Sequence, residues 1–435
     1  MQSDTPKLNW DNMGIRTHNV MHVLPKLTTY EWLILFYINI NMFKVALRLV
    51  FGRSTLYTFM ALGLEAVLLL GIAYHAFFSN NIVDLLLISY IYIFSLLLSI
   101  VLNPRLSIIA TDTIRRFITC IEGYYLFSRI KDTETIKKLI PYCVLLLIPY
   151  CYIVLSSASI DHYDNSDYFT VSYGIILPIC MILIFGYDSL LYFATALLGL
   201  FVVLYAGARG AFVCVAGVLG LFLSHRVLSS KGLNKILILS MIAIAFLLVT
   251  SKINQIVDLL YHYMPNSRTI ARLVSGAEVY DSSRLQMYNL VVIEITNHPL
   301  IYRGILSDRL LGSTVWLLSD TITLAGTYAH NLFLEILYDH GVILGSVMLL
   351  FGAWCTYKSY RYSCNYPSDN YTKLFIILFG CSIIQLMYSS SYLINYHFWC
   401  LFGFVVKLMM SSSSNKVSSY FRENDKLLSF SRVIK

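Results

Sequence analysis

The chain has 435 residues, of which 57% are hydrophobic, 14% aromatic and 13% charged. Soluble domains carry about a quarter charged residues, so 32 Lys and Arg with 24 Asp and Glu cannot clothe a water-facing surface of this size. A soluble enzyme, a nucleic-acid binder and a disordered chain are excluded, which leaves an all-α polytopic membrane protein.

The formal net charge of +8 fits Lys and Arg retained in cytoplasmic loops, where they set orientation and meet anionic membrane lipids. The nine cysteines lie mostly inside apolar runs, none within 251–329, and no CxxC pair occurs. They read as small packing residues.

In chain order, residues 1–28 are polar with Lys7, Arg16 and Lys26 and no apolar h-region, so a cytoplasmic N-terminus without a cleaved signal is expected. Apolar runs of roughly 20 residues predict helical spans. Residues 29–250 hold nine: Glu31–Val50, Leu56–Phe78, Ile82–Leu102, Leu106–Ile130, Ile140–Ser156, Ser172–Phe185, Ser189–Gly207, Ala211–Leu223 and Ile236–Thr250. A long polar loop follows at 251–329, with helices predicted at Asn254–Tyr263 and Ser282–Thr296. Residues 330–410 add Leu332–Tyr357, Leu374–Tyr388 and Tyr396–Met410, and 411–435 form a basic tail. The total is about twelve spans.

Placing the tail in the cytoplasm puts Lys137 and Lys138, Arg226 and Lys231, and Lys358 and Arg361 there too, with both termini inside. The opposite face receives 157–171, which has Asp161, Asp164 and Asp167 but no Lys or Arg, and the loop 251–329. Lys44, Arg48 and Arg53, around the first outer turn, break the rule. The long loop also holds Lys252, Arg268, Arg272, Arg284, Arg303 and Arg309. Long loops translocate regardless of charge, and cations retained there suggest an anionic ligand.

Arg209 lies in Ala206-Gly-Ala-Arg-Gly-Ala211, between two apolar runs. A guanidinium fork suits phosphate or diphosphate, and flanking glycines let a ligand approach the backbone. A snorkelling Arg marking a tight hairpin accounts for it equally well. Arg284 falls in the first turn of a helix capped by Asp281 or Ser282, where a cation opposes the helix dipole unless an anion is also present. His330, where the loop re-enters the membrane, can exchange a proton with a hydroxyl, and Asn331 can cap the helix that follows. Glu335, Asp339 and His340 lie deeper in the same span, and pairing with Arg115, Arg116 or Arg209 is their expected role. Glu65, Asp84 and Glu122 receive the same structural reading. The sequence has no Walker A, HExxH or GxSxG motif and no ligand spacing for a metal, so neither metal nor cofactor is expected.

Ala206–Ala211, Ser283-Arg-Leu-Gln-Met-Tyr288, His298-Pro299 with Gly304, and His330-Asn-Leu-Phe-Leu-Glu335 with Gly341 and Gly345 together resemble the O-antigen polymerase/ligase superfamily. The topology is similar along nearly the whole chain, and the motifs occupy 207–345. The resemblance implies a metal-independent inverting glycosyltransferase of C-type architecture in the bacterial inner membrane, with its active site facing the periplasm. Its substrates would be glycans on undecaprenyl diphosphate, and a chain-length regulator protein is a further partner of such enzymes. Arg209 and Arg284 would bind diphosphate and His330 would serve the acceptor. Arg272, Arg303, Arg309 and Asn331 are secondary candidates for diphosphate or glycan.

Leu344 stands where the ligases carry a small residue or Tyr, and the apolar His330–Glu335 run looks more like the polymerases. An O-antigen polymerase is therefore expected ahead of an O-antigen ligase. A lipid-linked oligosaccharide flippase is disfavoured, because no half-repeat is visible and functional charge concentrates after residue 207.

Overall fold

The computed structural model describes residues 24–79, 81–130, 134–157, 167–230, 282–315, 328–365 and 369–411, with isolated positions between these segments. All regular structure among them is helical: α1 Thr29–Phe51, α2 Thr55–Phe78, α3 Ile82–Leu102, α4 Ser107–Ser128, α5 Glu134–Ser156, α6 Asp167–Tyr173, α7 Ile176–Phe185, α8 Leu190–Ala206 and α9 Arg209–Ser229. After the segment 231–281 come α10 Ser282–Asn297, α11 Ser307–Val315 and α12 Leu332–Cys364, then α13 Asn370–Tyr388 and α14 Tyr396–Ser411.

Seven of these helices, α1, α2, α3, α5, α9, α12 and α13, are long and apolar enough to cross a membrane. Three shorter apolar stretches, Phe169–Phe185, α8 and α14, accompany them. Helix α4 has 22 residues but carries Asp112, Arg115, Arg116 and Glu122. Ile236–Thr250 and Asn254–Tyr263, expected as a span and a loop helix, lie outside the described residues. The chain is thus a polytopic helical membrane protein, with seven such helices among the described residues where about twelve spans are expected. Two expected spans are broken: Leu332–Tyr357 is interrupted at Gly341, and Ser172–Phe185 begins in α6, turns at Gly174 and resumes as α7. A side chain at Gly174 would meet Asn41 of α1, so the turn is where two backbones come close.

Local chemistry accounts for the helix starts. Thr28 and Glu31 form a reciprocal capping box before α1, and Ser54 caps α2. Pro141 and Pro149 lie inside α5, each removing one N–H from its hydrogen-bond ladder. Seven of the nine cysteines are buried, and small residues set the close contacts, as where Gly199 of α8 meets Ile179 of α7.

The main core joins α1, α5, α7, α8, α9, α13 and α14 through residues such as Leu147, Ile179, Val203, Val215 and Phe404. A second core packs Tyr92 of α3 and Phe117 of α4 against Leu306 of the loop and Trp399 of α14. Outward, α2 and α3 expose Phe59, Leu70, Val83, Tyr90 and Val101, a surface that suits hydrocarbon rather than water.

Polar contacts sort the helix ends into two groups. At one end Arg226 of α9 pairs with Asp369 ahead of α13, Asn370 donates to Glu134 of α5, and Lys138 pairs with Glu31 of α1. At the other end Asn103, after α3, donates to the Arg303 carbonyl in the loop. There too Tyr173 of α6 meets Ser389 after α13. The chain therefore enters 231–281 at the first end and leaves it at the second, which we call the loop end.

Candidate functional site at the loop end

The re-entry helix α12 is not continuous. Gly341 adopts φ 73° and ψ 162° between two helical pieces, a conformation open essentially to glycine. The break frees backbone groups that the loop satisfies. The N–H groups of Arg303 and Gly304 donate to the Asp339 carbonyl at 2.9 and 3.0 Å, and Val342 N–H donates to the Pro299 carbonyl at 2.7 Å. A side chain at Gly341 would lie 3.1 Å from the Ile301 carbonyl oxygen. The residues His298-Pro299, Gly304 and Gly341 thus form one clip, with Gly304 at φ 88° completing the turn.

Two non-glycine residues among those described have positive φ, Leu306 at 68° and His330 at 48°. Such geometry costs of order 1–3 kcal/mol and persists only where surroundings enforce it. Leu306 is enforced by its N–H donating to Asp339 Oδ2 at 3.2 Å. His330 follows Ala329, whose N–H donates to Asp308 Oδ2 at 3.0 Å, and its own carbonyl accepts from the Tyr288 hydroxyl at 3.3 Å. Asn331 then caps α12, accepting from Phe333 and Leu334 N–H at 3.0 and 3.2 Å.

Ser389 is the meeting point of three segments. Its hydroxyl bonds that of Tyr173 at 2.5 Å, and its carbonyl accepts from the Tyr328 hydroxyl at 2.5 Å. A methyl at Gly210, beside Arg209, would lie 3.5 Å from Ser389 Oγ and collide with the Tyr173 hydroxyl. The Tyr328 ring in turn packs on His330 with centroids 3.8 Å apart and under the Arg309 guanidinium at 4.1 Å. Tyr288 occupies α10 one helical turn after Arg284, so the two share a face. The start of α9 is therefore linked through Ser389 and Tyr328 to His330, and His330 to Tyr288 of α10.

Arg209 is the first residue of α9, and its N-cap Ala208 offers no side-chain acceptor. A cation at a helix start opposes the helix dipole and favours an anion beside it. The secondary arginines are differently placed. Arg303 donates to the carbonyls of Ile301, Tyr338, Glu294 and His298 and lies over the Tyr338 ring, so it holds the clip together. Arg309 is fully buried beside Asp308 and Glu335. Arg272 lies outside the described residues, as does the side chain of Arg284.

The arginine pairing expected for Glu335 is present, but the arginine is Arg309, while Asp339 accepts from backbone N–H groups; Arg115 instead lies near Glu65 and Arg116 near Asp112. Glu65 also meets Lys44 at 2.5 Å, and Asp84 pairs with Arg129. Both carboxylate oxygens of Glu122 are buried without a hydrogen-bond partner among the described residues. His340 Nε2 bonds the Tyr392 hydroxyl at 3.2 Å. Three acids, Asp308, Glu335 and Asp339, are grouped as metal ligands would be, although sequence spacing gave no metal motif. Outside the spans, burial first and the charge of Asp339 second push the Tyr302 phenol above its ordinary pKa, so it stays a donor at neutral pH.

Sequence reasoning did not single out Tyr173, Tyr328, Ser389 or Asp308. The Tyr328–His330 spacing was the one available signal. The chain matches no protein-family model and no curated protein sequence.

Proposed function

We propose that the chain is an O-antigen polymerase, transferring an undecaprenyl-diphosphate-linked glycan onto a lipid-linked repeat unit at the periplasmic face of the bacterial inner membrane. The observation that carries this reading is the junction at Ser389, which abuts Gly210 beside Arg209 and accepts a hydrogen bond from Tyr328, the ring against His330. In the proposed mechanism Arg209, at the N-terminus of α9, binds the departing diphosphate together with Arg284. Charge developing on that group is stabilised electrostatically as the sugar bond breaks. His330, turned by its positive φ and supported by the Tyr328 ring, takes the proton of the attacking sugar hydroxyl. The Tyr288–His330 contact keeps the Arg284 face of α10 beside it.

The test is a surface-polysaccharide gel from a deletion strain complemented with wild type, Arg209→Ala, Arg284→Ala or His330→Ala. Each variant should reach the membrane at wild-type level and yield core plus one repeat, with long chains lost. Unchanged ladders in all three would remove the site. Naked core with accumulated lipid-linked polymer would make the protein the ligase instead.

A further inference from the structure

Where α11 meets α12, four ionisable side chains are completely buried: Asp308, Arg309, Glu335 and Asp339. One carboxylate oxygen from each acid lies within 4.8 Å of the others. Acids gather in many proteins without holding anything, so the grouping alone decides nothing.

The hydrogen bonds around it do. Asp308 and Glu335 are each gripped at one oxygen by the protein, and Asp339 at both. Asp308 Oδ2 accepts from Ala329 N–H at 3.0 Å, and Glu335 Oε1 accepts from the Ser391 hydroxyl. Asp339 accepts from Leu306 N–H and Asp308 N–H at 3.2 and 3.4 Å. The remaining oxygens, Asp308 Oδ1 and Glu335 Oε2, are buried with no hydrogen-bond partner among the described residues. Arg309 does not serve them. Its Nη1 and Nη2 approach the gripped oxygens, Asp308 Oδ2 at 3.6 Å and Glu335 Oε1 at 3.8 Å, beyond hydrogen-bond range. None of its three nitrogens has a hydrogen bond among the described residues either. Buried orphan atoms of this kind call for an ion or water between them. Carboxylates held from behind by backbone and hydroxyl donors are oriented as metal ligands are.

Charge selects between the two. Three ionised carboxylates and one guanidinium sum to two negative charges in a dry site, which water cannot compensate and only protons or a bound cation can. One divalent cation brings the sum to zero, whereas a monovalent one leaves a charge over. Ligands that are all oxygen match hard cations of the Mg²⁺, Ca²⁺ and Mn²⁺ class.

We propose that Asp308 Oδ1, Glu335 Oε2 and an oxygen of Asp339 bind one hard divalent cation, with water completing its shell. Arg309, kept on the gripped side by the Tyr328 ring, neutralises the remaining charge. Two ligands belong to α12 and one to α11, so the ion fastens the loop to the re-entry helix. Because Asp308 also holds Ala329, the ion sets the backbone from which His330 projects. None of this depends on the glycosyl-transfer reading.

The experiment takes the purified full chain in detergent micelles, equilibrates it separately with Mg²⁺, Ca²⁺ and Mn²⁺, desalts it and measures retained metal by mass spectrometry. About one ion per chain is expected, with at least a tenfold loss in Glu335→Gln, which keeps the side chain's shape. If that variant fails to fold, the wild type decides: its melting temperature at fixed pH should rise with the retained metal. Wild type that retains no metal and melts identically with and without it would overturn the proposal and assign the neutralising charge to protons. Equal metal retention by a folded Glu335→Gln would overturn the ligand assignment.

Discussion

The two ends of the bundle use ion pairs in opposite ways. Away from the loop, Arg226 and Asp369 meet at 3.2 Å with their side chains 40% and 46% exposed, and Lys137 reaches Glu134 from a similarly exposed position. Water can replace either partner there, so these contacts trim the surface without fixing the fold. At the loop end Arg309 and its two acids have no exposure at all. Nothing but the protein, or an ion it binds, can compensate them. A buried charge network adds little net stability, but it penalises every arrangement that would leave a member alone. That end also holds the broken helix and both non-glycine positive-φ residues. Its polar groups specify a geometry, while those of the far end mostly tolerate one.

The largest test of this contrast removes the guanidinium. Arg309→Met keeps length and apolar packing but leaves three carboxylates without their internal cation. It should destabilise the protein by about 3–5 kcal/mol, the range for breaking a buried pair from one side. Denaturation in mixed micelles, followed by circular dichroism, measures the loss. A change under about 1 kcal/mol, the scale of a surface pair, would mean that the two ends do not differ in kind.

Much of the bundle was legible because a run of Leu, Ile, Val and Phe long enough to span hydrocarbon has few soluble alternatives. Ser282–Asn297 was legible too, from its apolar spacing, and Asn331 announced its cap. The helix Ser307–Val315 was not. It is nine residues long and contains Gly312, too short and too poor in helix formers to stand out within a long polar loop. Arg309 read as one more cation in an outer loop. One of its acids, Glu335, lies in a different span, and no local spacing records that contact. The pairing of Glu335 was foreseen in kind but not in partner, and the backbone donors that hold Asp339 were not foreseen. Gly341 was visible as a motif glycine, whereas its role as a break that the Pro299–Gly304 segment repairs depends on backbone contacts across the chain.

That break gives an intermediate test. Gly341→Ala must place a side chain at φ 73° and 3.1 Å from the Ile301 carbonyl, which should cost about 1–3 kcal/mol. The loss of long polysaccharide chains should exceed what this destabilisation predicts, because the Arg303 and Gly304 bonds to Asp339 move with the clip. Wild-type melting and wild-type chain length in Gly341→Ala would show that the clip is not needed.

The smallest effect belongs to the far end. Arg226→Ala removes the cation facing Asp369, and its side chain also lies over the Phe222 ring, 5.2 Å from the centroid. With both charged groups in contact with solvent, screening leaves the pair under about 1 kcal/mol, and the ring contact adds a comparable fraction at most. Polysaccharide ladders should be unchanged. The same substitution tested in low and high salt sharpens the point: the difference between wild type and variant should shrink as salt rises. A buried network such as that of Arg309 is shielded from ions and should show almost no such dependence. A salt-independent loss at Arg226 as large as that at Arg309 would mean that Asp369 anchors the start of α13 more firmly than its exposure implies.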